Sequence, residues 1–347
     1  MKRVLQIKLG LFLFFLIATL YSCGSNSVTS QAGQIATPAS SPAPVHTLIV
    51  EPDDGRGGII AALNKASKSI CLTIYEINDP EIVAALQSAA ARKVEVKVIY
   101  NYYSFSPAKR ETILSGVASL ESAGILTRAA TSEFTVTHQK SFVIDGTSAI
   151  IMTFNLQPEY FGGTRDFGIV TTDPAEVAEI CRVFNADWDY RPVTPTCEAL
   201  VWSPVNSREK ITSLIGASRV SLEVYNEEVE DRGCINALTR EAAAGVDVRF
   251  ISAQLMNNGY DGNTWGRREL NRGGVAANYG DFLYIHAKMV LADQNKPGAR
   301  VYLGSENFST TSLDHNRELG ILLSEPEILA RLNSIFSADW KKSKRSR

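Results

Sequence analysis

The chain has 347 residues, 45% apolar and 21% charged, with 35 Lys and Arg against 37 Asp and Glu. That length and balance fit a globular protein of two domain-sized units, or of one unit built twice, and nothing in the body is long and apolar enough to cross a bilayer. The mildly acidic balance is also a poor footprint for unspecific binding of nucleic acid.

The first residues differ from the rest. Lys2, Arg3 and Lys8 precede the mostly apolar run from Leu9 to Tyr21, which reads as a secretory signal over 1–22. Leu20-Tyr21-Ser22-Cys23 resembles the bacterial lipoprotein cleavage box, which makes Cys23 the expected lipidation site and the extracytoplasmic side of a bacterial cell envelope the expected location. Several acyl chains on one cysteine hold a protein stably on a membrane, where a single chain is marginal. Residues 23–45 are rich in Ser, Ala, Pro, Gln and Gly and form a tether, with a coil dimension of about 25 Å. Without residues 1–22 the chain carries 32 Lys and Arg against 37 Asp and Glu, and a basic tail closes it at 343–347.

The body from 46 is a duplication. In the first half, Ala66-Ser67-Lys68 leads into the apolar run Ile70 to Ile77, a helical stretch Asp79 to Arg92 and a strand Val94 to Tyr100. Ala217-Ser218-Arg219 then opens the same series, with a strand Val220 to Tyr225, a helix near Cys234 to Ala244 and a strand Val246 to Ile251. His138-x-Lys140-x4-Asp145 recurs as His286-x-Lys288-x4-Asp293, each at the start of a β-like run. Thr164 to Ile169 matches Asn316 to Ile321, and Phe184-Asn185-Ala186-Asp187-Trp188 matches Phe336-Ser337-Ala338-Asp339-Trp340. The offset runs from 151 residues (Ala66 to Ala217) through 148 (His138 to His286) to 152 (Trp188 to Trp340).

Strands alternating with amphipathic helices predict an α/β protein of two pseudo-symmetric α/β/α sandwich halves with mixed sheets, over 46–190 and 198–342, joined by a linker at 191–197. Two copies of one site are useful only if they converge, so both motifs are expected at the seam between the halves. Cys71, Cys181, Cys197 and Cys234 allow three full pairings; Cys181 and Cys197 flank the junction and are the favoured bridge, against a reading in which all four are small buried hydrophobes.

In a strand, residues i and i+2 face one side, so each motif presents an imidazole together with an ammonium. A phosphodiester needs its oxygens neutralised, a nucleophile on phosphorus and an acid for the leaving oxygen. The paired lysines Lys140 and Lys288 meet the first need. Two imidazoles, His138 and His286, meet the others, because one ring is neutral while the other is protonated near pH 7. Asn155 and Asn307, with Ser305 and Thr153 beside them, offer further donors to phosphate. Asp166 and Glu318 are carboxylates that fix an imidazole's tautomer, unless each pairs with the arginine next to it. Which carboxylate serves which histidine is left open. The lysines repel a cation, so no metal and no other cofactor is expected.

The doubled H-x-K-x4-D motif, the segment Gly304-Ser305-Glu306-Asn307 with its first-half partner Met152-Thr153-Phe154-Asn155, and the acidic residues Asp166 and Glu318 resemble the phospholipase D superfamily over essentially all of 46–342. The resemblance implies a metal-independent phosphoric diester hydrolase in which His138 forms a covalent phosphohistidine and His286 serves as acid and base. It also implies that Asp145 and Asp293 are structural. Met152, where the second half has Gly304, departs from the pattern and concerns how closely the first half approaches phosphate. A phospholipid headgroup, released to water or exchanged for an alcohol, is the expected substrate of a lipid-anchored monomer. A nuclease is the alternative, and a non-catalytic phosphate- or membrane-binding module is the reading from another class. Tyr102, Tyr103 and Phe105, and Tyr260 and Trp265, follow equivalent strands and are expected at the ligand end of the fold. His46 and His315 have no partner pattern.

Overall fold

Every strand and helix of the first half has a counterpart in the second. The computed structural model describes residues 45–103 and 106–346; the expected signal, Cys23, the tether through Pro44 and Phe105 lie outside them. The first half runs β1 (His46–Glu51), α1 (Gly57–Lys65), β2 (Ser69–Ile74), α2 (Pro80–Ala91), β3 (Glu95–Tyr100) and α3 (Pro107–Glu121). It continues with β4 (Leu126–Ala129), β5 (Ser141–Ile144), β6 (Ser148–Met152), β7 (Thr164–Thr171) and α4 (Pro174–Trp188). The second half runs β8 (Leu200–Ser203), α5 (Ser207–Ala217), β9 (Ser221–Asn226), α6 (Arg232–Ala243) and β10 (Asp247–Ser252). A small hairpin, β11 (Met256–Asn257) and β12 (Tyr260–Asp261), precedes α7 (Thr264–Arg272), β13 (Ala276–Tyr279), β14 (Tyr284–Ile285) and β15 (Met289–Ala292). Then come β16 (Arg300–Gly304), α8 (Thr310–Asp314), β17 (Glu318–Leu323), α9 (Pro326–Lys342) and β18 (Lys344–Arg345).

The two sheets have one topology, β1-β7-β6-β5-β2-β3-β4 and β8-β17-β16-β15-β9-β10-β13, with β18 added at the end of the second. The β2–β3–β4 and β9–β10–β13 ladders are parallel, β14 adds to β7 in parallel, and the other pairings within the two sheets are antiparallel, so the sheets are mixed as the alternation of elements predicts. Parallel strands buried on both faces read as near-continuous apolar runs, as Ile70 to Ile74 does. Helices start where an aspartate caps their free N–H groups: Asp79 accepts from Glu81 and Ile82, Asp173 from Ala175 and Glu176, and Asp231 from Cys234. Two outer cores pack α1 and α2, and α5 and α6, on the far faces of the sheets. The central core draws on both sheets together with α4 and α9, with Phe167, Trp202, Tyr225 and Phe336 fully buried in it.

Small residues let helices reach the loops that follow β2 and β9. A Cβ on Gly116 of α3 would lie 1.9 Å from the carbonyl oxygen of Ile77, and one on Gly266 of α7 would lie 1.7 Å from that of Val229. Glycine is therefore required at both places, and the two loops are fixed alike.

The sequence register needs one correction. Asp145 accepts from the backbone N–H groups of Ser67, Lys68 and Ser69, and Asp293 from those of Arg219, Val220 and Ser221. Ser69 thus matches Ser221, one residue further on than setting Ala66 against Ala217 implies. These hydrogen bonds also place both motif aspartates at the tip of the β5–β6 and β15–β16 turns, tying them to the start of the neighbouring strand.

The favoured Cys181–Cys197 bridge does not form: Cys71, Cys181, Cys197 and Cys234 are all free thiols. The junction is held by Glu179 instead, whose carboxylate accepts from the N–H groups of Thr196 and Cys197 and from Trp202 Nε1. Cys71 and Cys181 pack on the central core, and burial pushes the Cys71 thiol up to about 12. His46, assigned no role by its sequence context, bonds Glu176 at 2.9 Å and Glu325 of the other half. Burial opposes charging this ring, but the two carboxylates bring it up to about 9.

Replacing Asp145 or Asp293 with Ala should each lower stability by about 2 kcal/mol, additively, because charged hydrogen-bond acceptors are lost at two distant turns. Burial works against ionisation of Asp145, yet the Ser69, Lys68 and Ser67 donors hold its pKa down to about 2. Its contribution is therefore present above the ordinary carboxylate value near 4 and fades as pH falls towards 2, which urea melts of wild type and Asp145→Ala across that range will show.

Candidate active site

The site begins with main-chain hydrogen bonds that cross the seam. Thr137 pairs in parallel with Arg317, and Ile285 of β14 pairs in parallel with Arg165 of β7. The N–H groups of His138 and Gln139 both donate to the carbonyl of Arg317, and those of His286 and Ala287 to the carbonyl of Arg165. The residues His138–Lys140 and His286–Lys288 are consequently not strand, as the sequence pattern predicts, but gaps between strands. Their donors have gone to the other half instead of to a ladder.

The residue after each of these arginines is a carboxylate, and it meets the histidine of the opposite half. His138 Nδ1 lies 2.8 Å from Glu318 Oε2, and His286 Nδ1 lies 2.9 Å from Asp166 Oδ1. The arginines do not pair with these neighbours. Arg165 Nε donates to Asp339 at 2.7 Å and Arg317 Nη2 to Asp187 at 2.7 Å, again across the seam. Both aspartates come from the repeated Phe-x-Ala-Asp-Trp segments, so these segments meet the Arg-carboxylate segments of the opposite half at one interface.

Each carboxylate is itself held. Asp166 accepts from Thr153 and Thr164 at 2.6 Å each, and Glu318 accepts from Ser312 at 2.5 Å and Asn316 at 3.0 Å. Burial raises Glu318, but His138 and Lys140 outweigh it and hold it below the usual carboxylate range. Glu51, opposite Asp166 in the β1–β7 register, is pushed up to about 8 by burial and by the Asp166 charge. It is a neutral acid behind the ionic pair, and Ser203 takes its place in the second half.

Nδ1 is committed in each ring, His286 Nε2 lies 3.5 Å from Glu227 Oε2, and both histidines line one cavity of about 390 Å³. Burial drives His138 down to about 4 against the pull of Glu318, so this ring is neutral at neutral pH. Lys140 and Lys288 are completely buried, and each folds its ammonium back to the carbonyl of the histidine two residues before it. Burial lowers Lys140 to about 7.

Asn155 and Asn307 both line the cavity, and the side-chain oxygen of each is buried without a partner. Ser305 is used differently: its hydroxyl exchanges hydrogen bonds with the backbone of Leu319, and Thr153 likewise accepts from Phe167. Both hydroxyls lock β7 or β17 into place instead of lining the cavity. Met152 sits in the outer core of its half, away from phosphate. Its counterpart is Gly304 because a Cβ there would lie 2.5 Å from Glu306 and from the Tyr302 hydroxyl, a buried pair that replaces Phe154 and Ile150. Asp145 and Asp293 stay at their turns.

Sequence reasoning missed several wall residues. Tyr75 meets the His138 ring edge-on at 5.0 Å, Tyr160 meets the His286 ring at 4.8 Å, and Lys109 pairs with Glu76 at 3.0 Å beside Tyr75. Glu227, Glu228 and Glu230 line the opposite wall. The strand-end register would have found two of these, since Tyr75 and Glu227 stand at one repeat position once the one-residue correction is made. Tyr102, Tyr103, Tyr260 and Trp265 are exposed, and none lines the cavity.

A duplicated mixed-sheet frame whose two motif histidines line one cavity, each with a buried lysine two residues on, is the architecture of a two-motif phosphodiesterase. A family model described as cardiolipin synthase, PLD-like domain, matches residues 59–188 and again 211–340, and the chain belongs to this branch of the phospholipase D superfamily. It is similar to cardiolipin synthase A of Pseudomonas syringae pv. syringae, 23% identical over 334 residues that cover 84% of this chain and 68% of that one. It is also similar to cardiolipin synthase of Listeria welshimeri, 24% identical over 339 residues covering 85% and 69%. Phosphatidylserine synthase of Haemophilus influenzae shares the fold at TM-score 0.67, with 14% identity and 87% of both chains covered. Polyphosphate kinase of Porphyromonas gingivalis does so at TM-score 0.69 and 18% identity, with 86% of this chain covering 48% of that one. At these identities the two structural likenesses show the fold alone.

Because the pairing is crosswise, Asp166→Asn should lower turnover by on the order of 10²-fold or more and be non-additive with His286→Ala, while combining independently with Glu318→Gln. A cycle that couples Asp166 to His138 would contradict the geometry. In the free enzyme, kcat/KM should fall below about pH 4, where His138 gains its proton, and above about pH 7, where Lys140 loses its charge. Lys140→Arg should move the alkaline limb upward if Lys140 sets it.

Proposed function

We propose that the chain is a phosphatidyl-transferring phosphodiesterase that works through a covalent phosphohistidine on His138. One observation carries this reading: each imidazole has its Nδ1 on a carboxylate while both rings line a single cavity, so two Nε2 atoms serve one phosphorus. His138, neutral at working pH, attacks phosphorus through Nε2. His286, supported by Asp166, acts as the acid that gives a proton to the departing headgroup oxygen. The P–N bond has then replaced a P–O bond. His286 next takes a proton from an incoming alcohol or water, whose oxygen displaces His138 and restores both rings. Lys140, Lys288, Asn155 and Asn307 neutralise and orient the phosphate oxygens.

The substrate class is a phospholipid, and the acceptor an alcohol in preference to water, because the curated relatives are named as cardiolipin synthases. Hydrolysis is the same cycle with water as acceptor. A lipid anchor at Cys23, holding a monomer on the extracytoplasmic face of the envelope, belongs to the same proposal.

Vesicles of phosphatidylglycerol, of phosphatidylcholine and of cardiolipin, and single-stranded DNA, offered to the full chain, test it. Cardiolipin and free glycerol from phosphatidylglycerol are expected, with acid-quenched protein carrying phosphate on His138 and losing it in His138→Ala. Phosphatidate as sole product makes the enzyme a hydrolase, and cleavage of DNA alone overturns the lipid reading.

A further inference from the structure

The two half-sites share their histidine, lysine and asparagine but differ at the repeat position that holds Tyr75 in the first half and Glu227 in the second. In the first half Lys140 faces the Tyr75 ring at 5.4 Å, and Asn155 Nδ2 donates to the Tyr160 hydroxyl at 3.2 Å. In the second half the corresponding groups all converge on a carboxylate. Glu227 Oε2 lies 2.9 Å from Lys288 Nζ, 3.3 Å from Asn307 Nδ2 and 3.5 Å from His286 Nε2, while Oε1 accepts from the Tyr284 hydroxyl at 2.8 Å. Lysine and asparagine are the groups that the proposed function assigns to the phosphate oxygens, and the imidazole is the one it assigns to the departing oxygen. Glu227 holds them as those oxygens would.

The backbone of this glutamate is fixed. Its carbonyl accepts from Asn263 Nδ2 at 2.6 Å, Val229 N donates to Asn263 Oδ1 at 2.9 Å, and Gly266 brings α7 against Val229. Asn226, just before it, donates to the Glu306 carbonyl and accepts from Phe308. The carboxylate therefore stays beside the phosphate ligands as a standing negative charge. Together with Asp166 and Glu318 it sets three carboxylates against the two motif ammoniums.

We propose that Glu227 is a built-in anion that competes for the phosphate ligands of the second half and so selects a monoanionic phosphodiester against a dianionic phosphomonoester. This rests on the phosphate reading of the site. A dianion meets the fixed charge with twice the repulsion of a monoanion, and like charges in a desolvated site discriminate strongly. A phosphomonoester, the product of any hydrolytic turnover, is thereby kept from occupying the site.

The test is calorimetric binding of inorganic phosphate and of dimethyl phosphate to the full chain at pH 8, for wild type, Glu227→Gln, Tyr284→Phe and Glu227→Gln/Lys288→Ala. Glu227→Gln should bind inorganic phosphate about tenfold more tightly, with a gain of about threefold or less for dimethyl phosphate. Tyr284→Phe, which removes the hydroxyl anchoring Glu227, should move both affinities the same way by a smaller step. Equal or weaker phosphate binding in Glu227→Gln overturns the proposal and makes Glu227 a residue that merely organises Lys288. If Lys288→Ala leaves the tightened phosphate binding of Glu227→Gln unchanged, the phosphate reading itself fails and takes the proposal with it.

Discussion

The site depends on four main-chain hydrogen bonds that cross between halves, two to the carbonyl of Arg165 and two to that of Arg317. They seat each motif segment along the other half's strand in parallel register, which carries the carboxylate one residue further on to the imidazole. Neither half contains a complete acid–base pair. The buried arginine–aspartate pairs Arg165–Asp339 and Arg317–Asp187 reinforce the same alignment. Such pairs contribute little net stability once desolvation is counted, but a broken one leaves a buried charge, so they resist any slip of one half against the other.

A symmetric frame presents two equivalent histidines, whereas the proposed chemistry gives them unequal parts. Around the histidines the differences lie in side chains. Glu318 is held by Ser312 and Asn316 where Asp166 is held by two threonines, Glu51 faces Ser203 across the repeat, and Tyr75 faces Glu227. An aromatic edge, that of Tyr75, meets the His138 ring, while the carboxylate of Glu227 stands at the same repeat position beside His286. Local charge, not backbone, is where the two halves part.

Burial converts these placements into chemistry. Lys140, with no exposed surface, is held close to losing its proton, and His138 is held neutral although a carboxylate touches it. In both cases desolvation outweighs the neighbouring opposite charge.

The duplication and the mixed α/β sheets were legible in the chain because they rest on strand alternation and repeated spacing, the convergence of His138 with His286 followed from the doubling of one site, and the structural place of Asp145 and Asp293 was implied by the family resemblance. Tertiary structure alone decided that Asp166 serves His286 and Glu318 serves His138, that Ser305 turns to the backbone, that Glu179 and not a disulfide holds the junction, and that Tyr75, Tyr160 and Glu227 wall the cavity. Those contacts join residues far apart in sequence. No spacing rule encodes them, because they are set by how two twisted sheets meet at a seam. The sequence determined which chemical groups are available and in what repeat, and the packing of one half on the other determined which group faces which.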